Sequence, residues 1–146
     1  MNKILIPVDS SEYSKRAVEE GILMAKAFKS HVVLLYVANI SINFSRFYEI
    51  NLPQDALQEV IEEEKKQAEI MLKLLKETFG DMADKVETII LEGNTVDEII
   101  NYSKQSDVNM IIVGSHGFGS ILSKSLLGSV TSKVLHYSDI PVLIVQ

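Results

Sequence analysis

Short apolar runs alternate along this chain with longer stretches whose apolar residues return every three or four positions. Ile4-Leu5-Ile6-Pro7-Val8 is too short for a helix and reads as a first buried strand. Pro7 donates no backbone hydrogen bond, so its place is near the strand end. Asp9-Ser10-Ser11-Glu12 supplies helix-start chemistry, with Asp9 and Glu12 spaced as in a capping box. Ala17, Val18, Gly21, Ile22, Met24, Ala25 and Phe28 then form one apolar helical face. His31 to Val37, HVVLLYV, is β-branched and apolar and reads as a second strand.

Residues 38–52 break the rhythm. Asn39, Ser41, Asn43 and Ser45 are loop-like, while Phe44, Phe47 and Tyr48 are not. These aromatics read first as anchors that pack a long loop onto the adjoining helix; covering a ligand edge or meeting a partner is the alternative. A long helix follows Pro53, with Leu57, Val60, Ile61, Ala68, Met71, Leu72, Leu75 and Phe79 at helical spacing and Gly80 as its stop. Its run Glu62-Glu63-Glu64-Lys65-Lys66 reads as a solvated face. Val86 to Leu91 is a third strand, and Thr95-Val96-Asp97-Glu98 is a second capping-box spacing that opens a short helix. Met110 to Val113 is a fourth strand, Val130–Tyr137 a last helix, and Pro141 to Val145 a closing strand. Strands without polar alternation, each followed by a helix, predict an α/β fold with a parallel sheet covered on both faces.

The chain has 146 residues, enough for one domain over 1–146 with a real core. A formal charge of −6 argues against a surface built to coat nucleic acid. The absence of cysteine excludes a disulfide frame and a thiolate metal site and fits a reducing compartment. The opening MNKILIPVDSS has no signal-peptide core, and no apolar run approaches the roughly 20 residues of a membrane span. The expectation is a cytoplasmic protein with neither membrane nor nucleic-acid partner.

The richest stretch is Gly114 to Ser129, GSHGFGSILSKSLLGS, between the fourth strand and the last helix. Glycines after a strand let the backbone turn sharply and approach a ligand closely. Backbone N–H groups at a helix start, here Gly128 and Ser129, lack intrahelical acceptors and lie at the positive dipole end. The stretch reads as an anion cradle at the carboxyl end of a strand, where open α/β sheets bind ligands.

Taken together, KILIPVDSSEYSKRAVEEG, VVLLYV, EGNTVDEII, IIVGSHG and LLGSVTSKVLHYSDIPVLIVQ resemble the universal stress protein family over essentially the whole chain. The resemblance implies an open, doubly wound, mainly parallel five-stranded Rossmann-like sheet of order 3-2-1-4-5. It also implies a homodimer for many members. One branch of the family binds ATP and carries Gly-x2-Gly-x9-Gly-Ser/Thr; another lacks the motif. Gly114 and Gly117 match the first pair and Gly128-Ser129 the last, with ten residues between Gly117 and Gly128 rather than nine. The extra residue is assigned to Phe118-Gly119-Ser120, because LLGSVT resumes the family pattern. By resemblance, Asp9 and Val37 contact adenine and Gly114 lines the ribose. Gly117, Gly128, Ser129 and Val130 hold phosphates, and Mg²⁺ arrives with ATP, coordinated by phosphate oxygens and water. Judged alone, Asp9 is equally a helix cap and Val37 equally core filling.

Other chemistry is sparse. His116 reads as a polar loop residue, or alternatively as a phosphate neighbour, and His31 and His136 as element-end residues; no histidine pair has metal spacing. The serines around the motif have no evident base, Gly-Ser-His-Gly is not a nucleophile elbow, and no Gly-Lys-Ser/Thr makes a Walker loop. Lys124 and Lys133 read as exposed helical lysines. Binding is therefore favoured over turnover. The leading expectation is an ATP-binding switch or adaptor in stress response. The alternatives are a non-nucleotide interaction protein of the same fold, motivated by the longer spacer, and a slow ATPase or nucleotidyl-transfer enzyme. The apolar closing strand, as a sheet edge, is expected to pair antiparallel with a second copy.

Overall fold

The computed structural model describes residues 1–39, 53–117 and 126–146. Strand β1 (Lys3–Pro7) leads into α1 (Glu12–Phe28), β2 (His31–Asn39), α2 (Gln54–Glu77) and a 3-10 turn (Gly80–Lys85). Then come β3 (Val86–Gly93), α3 (Thr95–Gln105), β4 (Met110–Gly114), α4 (Ser129–Tyr137) and β5 (Val142–Val145). The sheet runs β3-β2-β1-β4-β5 with every pairing parallel, the doubly wound Rossmann-like arrangement.

The unbroken apolar strands are explained by cover on both faces. Ile4 and Ile6 of β1 point into a layer shared with Ala17, Val18 and Ala25 of α1 and Leu72 of α2. Leu5 points the other way, into a layer with Ile99 of α3, Ile111 of β4 and Val134 of α4. Both neighbours of each central residue are therefore buried, and alternation has no physical reason to appear. The two edges differ. β3 carries exposed Glu87 and Glu92, whereas β5 is Val142-Leu143-Ile144-Val145, each side chain partly exposed.

Several local expectations change. The α1 cap is Ser11, whose hydroxyl accepts from the Ser14 N–H at 3.1 Å, not an Asp9–Glu12 box. Asp9 stands one step back and accepts from the Ser11 N–H at 2.8 Å. Likewise Asn94, not Thr95, caps α3, accepting from the Asp97 N–H at 3.1 Å. Phe28 is 51% exposed, because α1 has run past the sheet and ends at Lys29 in the left-handed region. Val60 is 44% exposed in the lightly covered first half of α2. That helix ends at Glu77, before Gly80, which opens the 3-10 turn with φ +57. β2 and β3 each continue two residues further than the apolar runs suggest, to Asn39 and Gly93. Phe44, Phe47, Tyr48, Lys124 and the Phe118-Gly119-Ser120 end of the spacer lie outside the described residues. Among the described residues no helix is long and apolar enough to cross a membrane.

Candidate functional site

The crossovers leave the sheet in opposite directions between β1 and β4, so the crevice beyond their carboxyl ends is the fold's natural ligand position. Two turns meet there. One follows β1 and contains Asp9; the other follows β4 and contains Gly114 to Gly117. Their contact is backbone against backbone at its base. A Cβ on Gly114 would lie 2.8 Å from the Tyr13 carbonyl carbon and 2.9 Å from its oxygen, so only glycine lets the strand end meet the start of α1. At the rim, a Cβ on Gly117 would lie 3.1 Å from Asp9 Oδ2. Gly117 is exposed and Gly114 buried, so the segment rises from the core to the surface within four residues.

The first turn is rigid for a local reason. The Asp9 N–H donates to Ser14 Oγ at 3.0 Å while Asp9 Oδ1 takes the Ser11 N–H, so the carboxylate is oriented by the start of α1. Asp9 thus braces the cap residue Ser11 and stands at the rim. Val37 stands level with Asp9, since Pro7 pairs with Leu35 and each lies two residues further on. Val37 is half-buried and packs with the layer beneath α3 and α4; the described contacts do not join it to the glycine segment.

The N-terminus of α4 is drawn to the same place. Thr131 Oγ–H donates to the Gly114 carbonyl at 2.7 Å, and the Ser115 N–H donates to the Val145 carbonyl at 2.7 Å. Gly128 is pressed on the preceding turn: a Cβ there would lie 3.2 Å from His116 Cα and 3.3 Å from the Ser115 oxygen. Its own N–H donates to that Ser115 oxygen at 2.8 Å. Gly128 therefore shapes the cradle and does not offer a free donor. The donors are Ser129, Val130 and Thr131, whose N–H groups precede the first intrahelical acceptor; the first such bond is Ser132 to Gly128 at 2.9 Å. The N-cap, Gly128, has no side chain to cap them, and no other side chain does so among the described residues. An exposed Ser129 hydroxyl adds to this positive end.

Thr131 and Tyr13 were not singled out by sequence. Thr131 carries a usable signal, a hydroxyl on the same helical face as buried Val134; Tyr13 carries none. Ser115 and His116 are buried, at 2% and 7% exposure, so neither is a surface loop residue. Ser115 Oγ lies 2.9 Å from His116 Nδ1, yet its burial denies it an approaching electrophile. Lys133 is exposed on α4.

Beside the crevice, the Tyr36 hydroxyl donates to Glu64 at 2.7 Å and ties α2 to β2. Burial first, and then the bond and charge of Glu64, raise the Tyr36 hydroxyl well above the ordinary tyrosine range, with a smaller push from Asp9. Tyr36 is therefore a neutral donor at working pH. No cluster of three or more His, Cys, Asp or Glu able to hold a metal ion exists among the described residues.

Residues 1–146 match the pattern of the Universal stress protein family from end to end. The chain belongs to the universal stress protein family. It is 32% identical over 147 residues to universal stress protein YxiE of Bacillus subtilis, covering 99% of each chain. It is also 32% identical to the solved structure of MJ0577, a universal stress protein of Methanocaldococcus jannaschii, with a TM-score of 0.81 over 99% of this chain and 94% of that one. A universal stress protein from Archaeoglobus fulgidus solved in complex with dAMP shares the fold at a TM-score of 0.61 and 17% identity, covering 100% of this chain and 98% of that one.

Proposed function

We propose that this universal stress protein binds ATP in the β1/β4 crevice and acts in the cytoplasm as a nucleotide-dependent switch or adaptor in stress response, without rapid turnover. The observation that carries this reading is the uncapped start of α4 held beside the exposed Gly117 and the oriented Asp9. Three backbone donors at a positive helix end suit a phosphate chain. Ser129 and Val130 hold phosphates through their N–H groups, while Gly117 and Gly128 keep the space clear for them. Asp9 and Val37, at the ends of β1 and β2, take the adenine side, and Gly114 the ribose side. The dAMP carried by a neighbour of the same fold supports an adenine nucleotide as the ligand class. Mg²⁺ enters with the triphosphate, held by phosphate oxygens and water.

Titration calorimetry on protein stripped of carried-over nucleotide tests this. Saturable heat with MgATP is expected. A flat trace from micromolar to millimolar ATP would instead favour an interaction protein that uses the fold without nucleotide.

We also propose that β5 pairs antiparallel with β5 of a second copy. The support is the contrast between edges: Glu87 and Glu92 guard β3, while no charge guards β5. A two-fold axis satisfies both open edges at once. Light scattering across dilution, with Val142→Lys plus Ile144→Lys as the disrupting variant, is expected to show a dimer becoming a folded monomer. A monomeric wild type would defeat the placement.

A further inference from the structure

His116 is held on two sides. Its Nδ1 meets Ser115 Oγ at 2.9 Å, and its ring lies 5.0 Å from the Tyr13 ring, centroid to centroid. Arg16 sits 5.7 Å above that same tyrosine ring, so the histidine is braced through α1. The other nitrogen, Nε2, is buried and has no hydrogen-bond partner. A buried polar atom without a partner costs free energy that a fold ordinarily avoids, and such an atom calls for a group that completes it. This one belongs to the residue between Ser115, whose oxygen anchors Gly128, and Gly117 at the rim. It thus lies in the turn on which Gly128, the N-cap of α4, rests.

We propose that His116 is a further ligand-binding residue, whose Nε2–H is completed by a phosphate oxygen of the bound nucleotide, directly or through one ordered water. The inference rests on the nucleotide-binding reading above. With the Ser115 hydroxyl taken as the donor to Nδ1, the ring is in the tautomer that leaves the proton on Nε2. In that tautomer Nε2–H is a donor on a ring braced by Tyr13, and adds to the backbone donors of Ser129 and Val130. Because the atom is buried without ligand, the Gly117 end of the turn yields as the phosphate arrives, while the Gly128–Ser115 contact stays in place. The exposed Gly117 gives that turn its freedom.

The two ring nitrogens can be separated by substitution. An asparagine amide reaches the Nδ1 position and a glutamine amide reaches the Nε2 position. MgATP is titrated into wild type, His116→Asn and His116→Gln, and the imidazole nitrogens of the wild type are followed by long-range proton–nitrogen NMR. The chain has three histidines, so assignment is tractable. His116→Asn is expected to weaken MgATP at least about tenfold, the scale of one hydrogen bond to a charged group. His116→Gln is expected to stay within about threefold of wild type, a rescue that a packing role alone does not produce. The Nε2 signal of His116 is expected to move on saturation with MgATP. An unmoved signal in a wild type that binds overturns the proposal even if a variant fails to fold. Equal affinity of His116→Asn and wild type also overturns it, while leaving nucleotide binding intact. A wild type that binds no MgATP overturns both.

Discussion

The β1–β4 side of the sheet and the β2–β3 side end at the same carboxyl edge, but they are held by different means. On the first, main chain rests on main chain: Gly114 against Tyr13, and Gly128 against Ser115 and His116. On the second, side chains reach across gaps. Tyr36 donates to Glu64 at 2.7 Å, Asn39 to Thr95 Oγ1 at 3.2 Å, and Lys65 pairs with Glu92. A backbone wall has no rotamer with which to yield, so it fixes positions to tenths of an ångström. A half-exposed tether yields easily and contributes little once solvent screens it. The contrast separates the part of the fold suited to holding a phosphate in one geometry from the part that holds a helix in place.

The largest effect is expected at Gly114. Gly114→Val would force a side chain into the Tyr13 main chain at 2.8 Å, and a loss of about 3 kcal/mol in urea unfolding is expected. A near-neutral result would mean that the two turns are not in contact. Gly128→Ala is milder, with approaches of 3.2 to 3.5 Å, and about 1 kcal/mol is expected. Its MgATP affinity should fall too, because the Ser129 and Val130 donors move with the turn. Gly117→Ala meets only the end of the Asp9 side chain. It should leave stability within about 0.5 kcal/mol while weakening MgATP, so affinity and stability part company at this position.

On the other side, Tyr36→Phe removes the α2 tether. A loss of about 1 kcal/mol is expected, reduced from a fully buried bond because Tyr36 is half-buried, with MgATP affinity unchanged. The pH dependence has a definite sign. The native state holds the Tyr36 proton more tightly than the unfolded chain, whose reference is 10.0, so the contribution is complete below that pH and fades as pH rises above it. The phenylalanine variant should lack that alkaline decline in melting temperature. Lys65→Gln should do least. Its partner Glu92 holds the Lys65 ammonium above its ordinary range, but the pair is open to solvent, and no resolvable change in melting temperature is expected.

The parallel sheet was legible because burial on both faces leaves a plain trace: Ile4 to Ile6 and Ile111 to Val113 carry no polar residue, while the strand order came with the family resemblance. Helix starts were less so. Asp9 and Glu12 satisfy the capping spacing, but adjacent Ser11 competes for the same role and wins by its geometry to Ser14. Phe28 and Val60 keep a helical period where the sheet beneath has ended, and periodicity does not report where a neighbour stops. The glycine segment was legible as a cradle in outline. That the Gly128 N–H is already taken was not, because its acceptor belongs to Ser115 at the far end of the segment. The burial of His116 has no sequence trace either, since a histidine between serine and glycine reads as solvent-facing.

In the proposed function, the turn after β1 and the glycine segment after β4 form one nucleotide crevice. Backbone amide NMR of the nucleotide-free protein during MgATP addition tests it most directly. The amides of Asp9, Gly117, Ser129 and Val130 are expected to shift together along one saturation curve, while Val86 and the 3-10 turn Gly80–Lys85 stay in place. An unperturbed Gly117 and Ser129, or shifts confined to α2, would contradict it.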